Sequence, residues 1–230
     1  MHMSITSAEF KEVLLYPVQD KQWFVKLCLQ VGLMFLLCFF LVGIPFLTGY
    51  MVRCTQKGIN KDNTLPDWNE WGLFWKLGWK IIGVSLVFSL PAVLLIIFFI
   101  ALVVLIIILN LSGLVSESAY VIIGLSGMMV YFVMLVYSLA MMFLQPAYLA
   151  AVAAGKSFRD CIAIKKMLWP YIKANAITIL VGLAILYLIG IIAMLGMFVF
   201  FVGIFLTYGY YIAAGGYTYG LIYRQSTVKF

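Results

Sequence analysis

Gly155-Lys156-Ser157 ends the way a phosphate-binding loop ends, with a lysine and a hydroxyl behind a glycine. Such a loop needs its first glycine five residues upstream, where this chain has Ala150, and a hydrophobic strand before it. Neither requirement is met, so nucleotide chemistry is not expected. Asp62, Asp67 and Glu70 cluster enough carboxylate to suggest a divalent cation, yet Lys61 stands among them. A helix N-cap at Asp67 with its reciprocal partner at Glu70 explains the last two more simply. His2 is the one histidine, which leaves metal-dependent catalysis almost without ligands. No HExxH, GxSxG or paired-carboxylate arrangement occurs. The chain is therefore expected not to be an enzyme and to carry no cofactor and no metal.

A third group is polar in apolar surroundings. Gln145, Asn175, Tyr208, Tyr211 and Tyr219 could line a polar recess for a neutral or amphipathic substrate, because a phenol or amide in hydrocarbon needs a partner. Gln30, Ser85, Ser89, Ser138 and Thr178 belong to the same polar minority. Hydrogen bonding across helices is the competing use of all of them. No lysine, arginine or carboxylate falls at a span centre, where ion and proton pathways normally place one.

The elements that must hold these residues are helices in lipid. The 230 residues are 66 % hydrophobic and only 10 % charged, against about a quarter charged in soluble domains; the mean hydropathy is +1.12. Uncharged apolar runs longer than about 18 residues are candidates to cross a membrane. The expected fold is all-α, a transmembrane bundle of about five spans over residues 22–45, 80–109, 120–148, 171–195 and 197–223. A break at Pro45 could add a sixth, partial crossing. The whole of 1–230 reads as one integral membrane domain. Near residue 17 a short N-terminal helix is expected to stop at Pro17. The run from Lys80 to Asn110 would be about 46 Å long as a helix, against a hydrocarbon core of about 30 Å, with Pro91 as its natural break.

Two interfacial amphipathic helices are expected, over 67–79 and 156–168. The first carries Trp68, Trp71, Trp75 and Trp79 within about 80° of arc, a pattern suited to anchoring at the headgroup level, where indole keeps an apolar body and a wet N–H. Gly209, Ala213, Gly216 and Gly220 follow one another at spacings of four, three and four. They form a stripe nearly free of side chains, suited to helix packing by close backbone approach; Leu221 serves as the contrasting position if it faces lipid.

The net charge of +7 is concentrated beside the apolar runs rather than in a soluble basic domain, which favours an anionic membrane surface over nucleic acid. Arg53, Lys57, Lys61, Lys76 and Lys80 mark one connector as cytoplasmic, and Lys156, Arg159, Lys165, Lys166 and Lys173 mark another. The C-terminus is then cytoplasmic, and the protein multi-pass in the cell inner membrane with no cleavable signal peptide. Expected partners are membrane lipids and another membrane protein or a second copy. Cysteines 28, 38, 54 and 161 show no metal or disulfide spacing and read as small buried thiols. The segments "FFLVGIPFLTGYM" at 39–51 and "FFVGIFLTYGYY" at 200–211 echo one another.

Three stretches together carry a resemblance. They are "YPVQDKQW" with Trp23 and Lys26, the block holding Gly49, Tyr50, Arg53, Gly58, Leu65, Pro66, Asp67 and Trp68, and the glycine- and tyrosine-rich last span ending in "YRQ". The pattern resembles the uncharacterised prokaryotic membrane-protein family called domain of unknown function 4013, over nearly the whole chain. The resemblance implies a multi-helix integral membrane domain and no established activity, cofactor or substrate. The functional expectation is a non-enzymatic scaffold or accessory subunit of a membrane complex. A permease or lipid-handling protein is the alternative.

Overall fold

The computed structural model describes residues 5–38, 43–111, 118–194 and 200–230. Among them the chain is all-α, with eight α-helices and one π-turn. The helices are α1 (Ser7–Gln19), α2 (Trp23–Cys38), α3 (Gly43–Asn60), α4 (Trp71–Leu111), α5 (Ser118–Ala153), α6 (Phe158–Cys161), α7 (Trp169–Met194) and α8 (Phe200–Gln225); the π-turn, Ile164–Leu168, leads into α7. Contacts divide the chain into two compact units, one of residues Met1–Val84 with Phe143–Phe230 and one of Ser85–Met142.

The expectation of five or six spans is corrected. Among the described residues three helical stretches are long and apolar enough to cross a membrane: Trp71–Leu111, Val121–Ala153 and Ile164–Met194. Within the first expected span, 22–45, the described residues form α2, Trp23–Cys38, and the opening of α3, and neither is among the three stretches. Residues 39–42 at its break lie outside the described set. The last expected span, 197–223, fails on composition: Thr207, Thr218 and six tyrosines dilute the hydropathy of α8. Every residue from Ile212 to Tyr223 in it is buried by protein.

Proline placed the other boundaries wrongly. Pro17 lies inside α1 and Pro91 inside α4, and neither ends its helix. Pro170 is the second residue of α7, in the first turn, where no N–H is needed. The expected interfacial helix 67–79 has no separate existence. Trp68 precedes α4, and Trp71, Trp75 and Trp79 are its opening turns. In place of a helix over 156–168 stand the single turn of α6 and the π-turn.

α8 is the axis of the larger unit. It packs along α3, α7, α1 and α2. α3 runs parallel to it: a Cβ added to Gly216 would stand 2.5 Å from the Met51 carbonyl oxygen, and one on Gly220 would stand 2.8 Å from Gly58 Cα. α7 runs antiparallel, with Gly182 against Ile222 and Gly190 against Tyr211. α1 also runs antiparallel to α8: Tyr210 donates to the Leu14 carbonyl, Tyr217 to Glu12, and Gln225 to Glu9. The sequence Thr6-Ser-Ala-Glu9 starts α1 with a capping box. Gly49 and Gly78 make a second close crossing, against the backbones of Phe74 and Pro45, between α3 and the first turns of α4.

The smaller unit is an antiparallel helical hairpin. Tyr137 of α5 donates to the Phe88 carbonyl of α4, and Gly127 faces the Phe99 ring. Ser89 and Ser138 return their hydroxyls to carbonyls of their own helices, Leu86 and Leu135, at 3.0 and 2.8 Å. That satisfies each hydroxyl without a partner helix.

Candidate functional site

The residues that carry the family resemblance converge on one loop. Residues 61–70 leave α3 and re-enter at α4, and they close over the turn between α1 and α2. At the centre is Lys26, whose ammonium has three acceptors for its three N–H bonds: Asp20 Oδ2 at 2.8 Å, Asp67 Oδ1 at 2.7 Å and the Leu65 carbonyl at 3.1 Å. Asp20 in turn accepts from the backbone N–H groups of Gln22 at 2.7 Å and Leu65 at 3.0 Å. The Lys26 carbonyl accepts from the Trp68 indole at 3.1 Å.

The pair Lys26–Asp20 is nearly dry, with side chains 10 % and 9 % exposed. Burial by itself would raise the Asp20 carboxyl, but the Lys26 ammonium and the two N–H donors outweigh it and hold it below the usual range. Burial would likewise lower the ammonium, and Asp20 and Asp67 together hold it above its usual value. A buried pair so fully bonded keeps a fixed geometry, because removing either member strands the other.

Tyr50 and Trp68 form the apolar half of the clamp. Their rings stack 4.8 Å apart at 6°, with Phe74 edge-on to both. Such pairs contribute about 0.5–1.5 kcal/mol beyond their area. Below them Cys54 is fully buried; burial, the dominant influence, pushes its thiol up to about 12. It fills space as a protonated thiol. Cys28 and Cys161 are also unbridged, and the Cys38 side chain lies outside the described set.

The acidic cluster is divided among basic partners. Asp62 pairs with Lys57, Asp67 with Lys26 and Glu70 with Arg53. The reciprocal cap expected between Asp67 and Glu70 is not made. Burial would raise the Asp62 carboxyl, yet the Lys57 ammonium and both Thr64 donors bring it down to about 2. Among the described residues no group of His, Cys, Asp or Glu is arranged to hold a metal ion.

The four tryptophans do not share one environment. Trp68 is 6 % exposed and belongs to the clamp, whereas Trp79 is 51 % exposed. Trp71 and Trp75 are part-exposed and flank the Phe46 ring at 5.5 and 5.2 Å. Along the small-residue stripe, Gly216 and Gly220 meet the α3 backbone, Ala213 is buried, and Gly209 faces the Gln30 side chain.

Of the five residues expected to line a polar recess, Tyr208, Tyr211 and Tyr219 are neighbours. Gln145 is exposed. Asn175 is buried and donates to the Tyr171 carbonyl at 2.8 Å and to Ser226 Oγ at 2.7 Å. Tyr208 and Tyr211 lie side by side at 6.2 Å, and Tyr219 is buried. A different feature, missed in the sequence, is a groove of about 300 Å³ lined by Trp23, Leu27, Ile189, Ile192, Leu206 and Tyr210. Near it Gln30 is buried with neither amide atom hydrogen-bonded. Gly155, with φ +77°, ends α5 by the bonds Gly155 N–H to Val152 and Lys156 N–H to Ala151. It is a helix stop, and the following Ser157 caps α6.

No curated protein and no solved structure matches the chain. One family does, described as protein of unknown function (DUF4013), over residues 32–202. The matched stretch takes in Tyr50, Arg53, the 65–68 loop and the three apolar stretches, while Lys26 and most of α8 lie outside it, so the match is shorter than the near-complete coverage expected. With the membrane-length apolar helices and the Tyr50–Trp68 half of the clamp inside the matched region, the chain belongs to this uncharacterised family of prokaryotic membrane proteins.

Proposed function

We propose that the protein is a non-enzymatic component of the prokaryotic inner membrane, a scaffold or accessory subunit that packs against itself or another membrane protein. The observation that carries this reading is the hairpin of residues 85–142. Its described residues hold no charged side chain, and its large apolar side chains point outward, Phe98 at 68 % and Met128 at 72 % exposure. In lipid this surface is stable by itself, and it is also the surface a partner helix would take. A photo-crosslinker at Phe98 or Met128, activated in native membranes, should give discrete protein adducts. Lipid adducts alone, from a protein that purifies as a partner-free monomer, would overturn the proposal.

The basic connectors and the C-terminus belong on the cytoplasmic side in this reading. In support, Gln56 donates to the Ala153 carbonyl at 3.1 Å and Lys80 to the Lys156 carbonyl, so the two lysine-bearing connectors are neighbours. Cysteine labelling near positions 60 and 160 tests it, and opposite accessibility would reject it. The apolar groove beside Gln30 favours a second reading, a permease or lipid-handling protein for an amphipathic substrate. Retention of a chain-bearing lipid by the wild type but not by an Ile189→Trp variant would favour that reading.

A further inference from the structure

Three segments bring lysines to one notch of about 330 Å³: Lys156 after α5, Lys166 in the π-turn, and Lys229 on the C-terminal tail. None of the three is in an ion pair among the described residues. The one acidic side chain on the wall, Asp160, is engaged by Ser157 at 2.7 Å. Hydrogen bonds from Ser157, and then the charges of Lys156 and Lys166, hold its carboxyl below the usual range.

The tail that carries Lys229 is held in place. Ser226 is tied to the buried Asn175, the Phe230 ring lies 4.8 Å from that of Tyr171, and the Phe230 N–H donates to the Tyr223 hydroxyl at 3.3 Å. The notch also has a defined depth. Lys166 lies in the first turns of the apolar stretch Ile164–Met194, next to Trp169, which is exposed. Tryptophan and lysine at the end of an apolar helix mark the headgroup level. Met167, Pro170 and Phe230 are apolar members of the same lining as the three lysines.

We propose that this notch binds a phosphate-bearing anion, the headgroup of an anionic phospholipid. Phosphate oxygens accept charge-assisted hydrogen bonds from lysine ammonium groups, and the glycerol backbone rests against the apolar part of the lining. The site goes beyond the scaffold reading and rests only on Ile164–Met194 lying in the membrane. Partner crosslinking at Phe98 can therefore fail while this site stands, and the reverse.

The test is native mass spectrometry of the full chain released from membranes containing phosphatidylglycerol and phosphatidylcholine. The variant is K156Q/K166Q/K229Q, and the control is K11Q/K21Q/K61Q, which removes the same charge from exposed positions elsewhere. Wild type and control should retain phosphatidylglycerol preferentially, and the notch variant should lose about tenfold or more of that retention. If the triple variant does not fold, K229Q alone serves, with a loss of about threefold expected from one lysine. Equal retention by variant and control overturns the site. So does equal retention of the two lipids by the wild type, or inorganic phosphate alone raising the melting temperature as much as phosphatidylglycerol does.

Discussion

Gly58 of α3 faces Gly220 of α8 so closely that a Cβ on Gly58 would lie 3.1 Å from Gly220 Cα. Two parallel helices meet there with no side chain between them. Close backbone approach of this kind substitutes for the hydrophobic force that lipid does not provide. Because both glycines face backbone rather than a flexible side-chain tip, no rotamer change makes room for a larger residue.

Gly220→Leu should therefore force α3 and α8 apart and destabilise the larger unit by about 3 kcal/mol or more. Leu221 is not the lipid-facing contrast that its neighbouring position suggested, since it is fully buried. Leu221→Ala should cost about 2–5 kcal/mol as a cavity. Leu180, on the exposed side of α7, is the proper contrast, and Leu180→Ala should shift the detergent melting temperature little. Equal melting points for wild type and Gly220→Leu would sink the seam.

The two carboxylates on Lys26 should separate cleanly. Lys26→Met leaves Asp20 buried and uncompensated and should cost about 3 kcal/mol. Asp67 has a side chain 70 % exposed, and its loss leaves the Lys26–Asp20 pair intact. Asp67→Ala should cost no more than about 1 kcal/mol. Limited proteolysis of the 61–70 loop reads the difference, with rapid cutting expected for Lys26→Met and a wild-type pattern for Asp67→Ala. Equal cutting of the two would show that Lys26 does not hold the loop.

The pH dependence follows from the signs of the shifts. Asp62 titrates at about 2 in the folded protein, against about 3.9 when unfolded, and Asp20 is lowered as well. Their stabilisation is present above the unfolded value and is lost as pH falls through the folded one. Lys26 is raised, so its contribution is present below its unfolded value and lost as pH climbs through the folded value. The melting temperature should fall between about pH 4 and pH 2. Lys57→Met should make that acid limb shallower by releasing Asp62. An acid limb unchanged in Lys57→Met would refute the assignment.

The helical class was legible because long uncharged runs can satisfy their backbone only within themselves. The number of crossings was not. The lack of charge through most of α8 made it read as another span, although its tyrosines and threonines dilute its hydropathy and four helices pack along it. Gly216 and Gly220 were readable as places of close approach, yet nothing in their spacing names α3 as the helix opposite. The described part of the echo, 43–51 and 200–211, falls on α3 and α8, which pack in parallel, and Thr48 and Thr207 each bond a carbonyl four residues back at 2.9 Å. Trp68 shared its helical arc with Trp71, Trp75 and Trp79 only on the assumption that a helix began at Asp67. Pairing of Asp67 with Lys26, a contact 41 residues away in sequence, removed that cap and turned Trp68 inward. Local pattern carries no information about such a contact.

Lys61 follows the last residue of α3 with φ 57°, in the left-handed conformation that closes a helix. The bonds Lys61 N–H to Gly58 and Asp62 N–H to Lys57 complete the closure. A side chain there costs about 1–2 kcal/mol in crowding between Cβ and carbonyl, whereas glycine adopts it freely. Glycine also has more freedom to lose on folding, by about 0.5–1 kcal/mol, so the two effects oppose one another with strain the larger. The Lys61 side chain is exposed and appears in none of the ion pairs of the described residues. Lys61→Gly should therefore stabilise the protein by up to about 1 kcal/mol, and Lys61→Val, β-branched at a left-handed position, should destabilise it. Melting temperatures measured side by side in one detergent decide it, and the order glycine above lysine above valine is required.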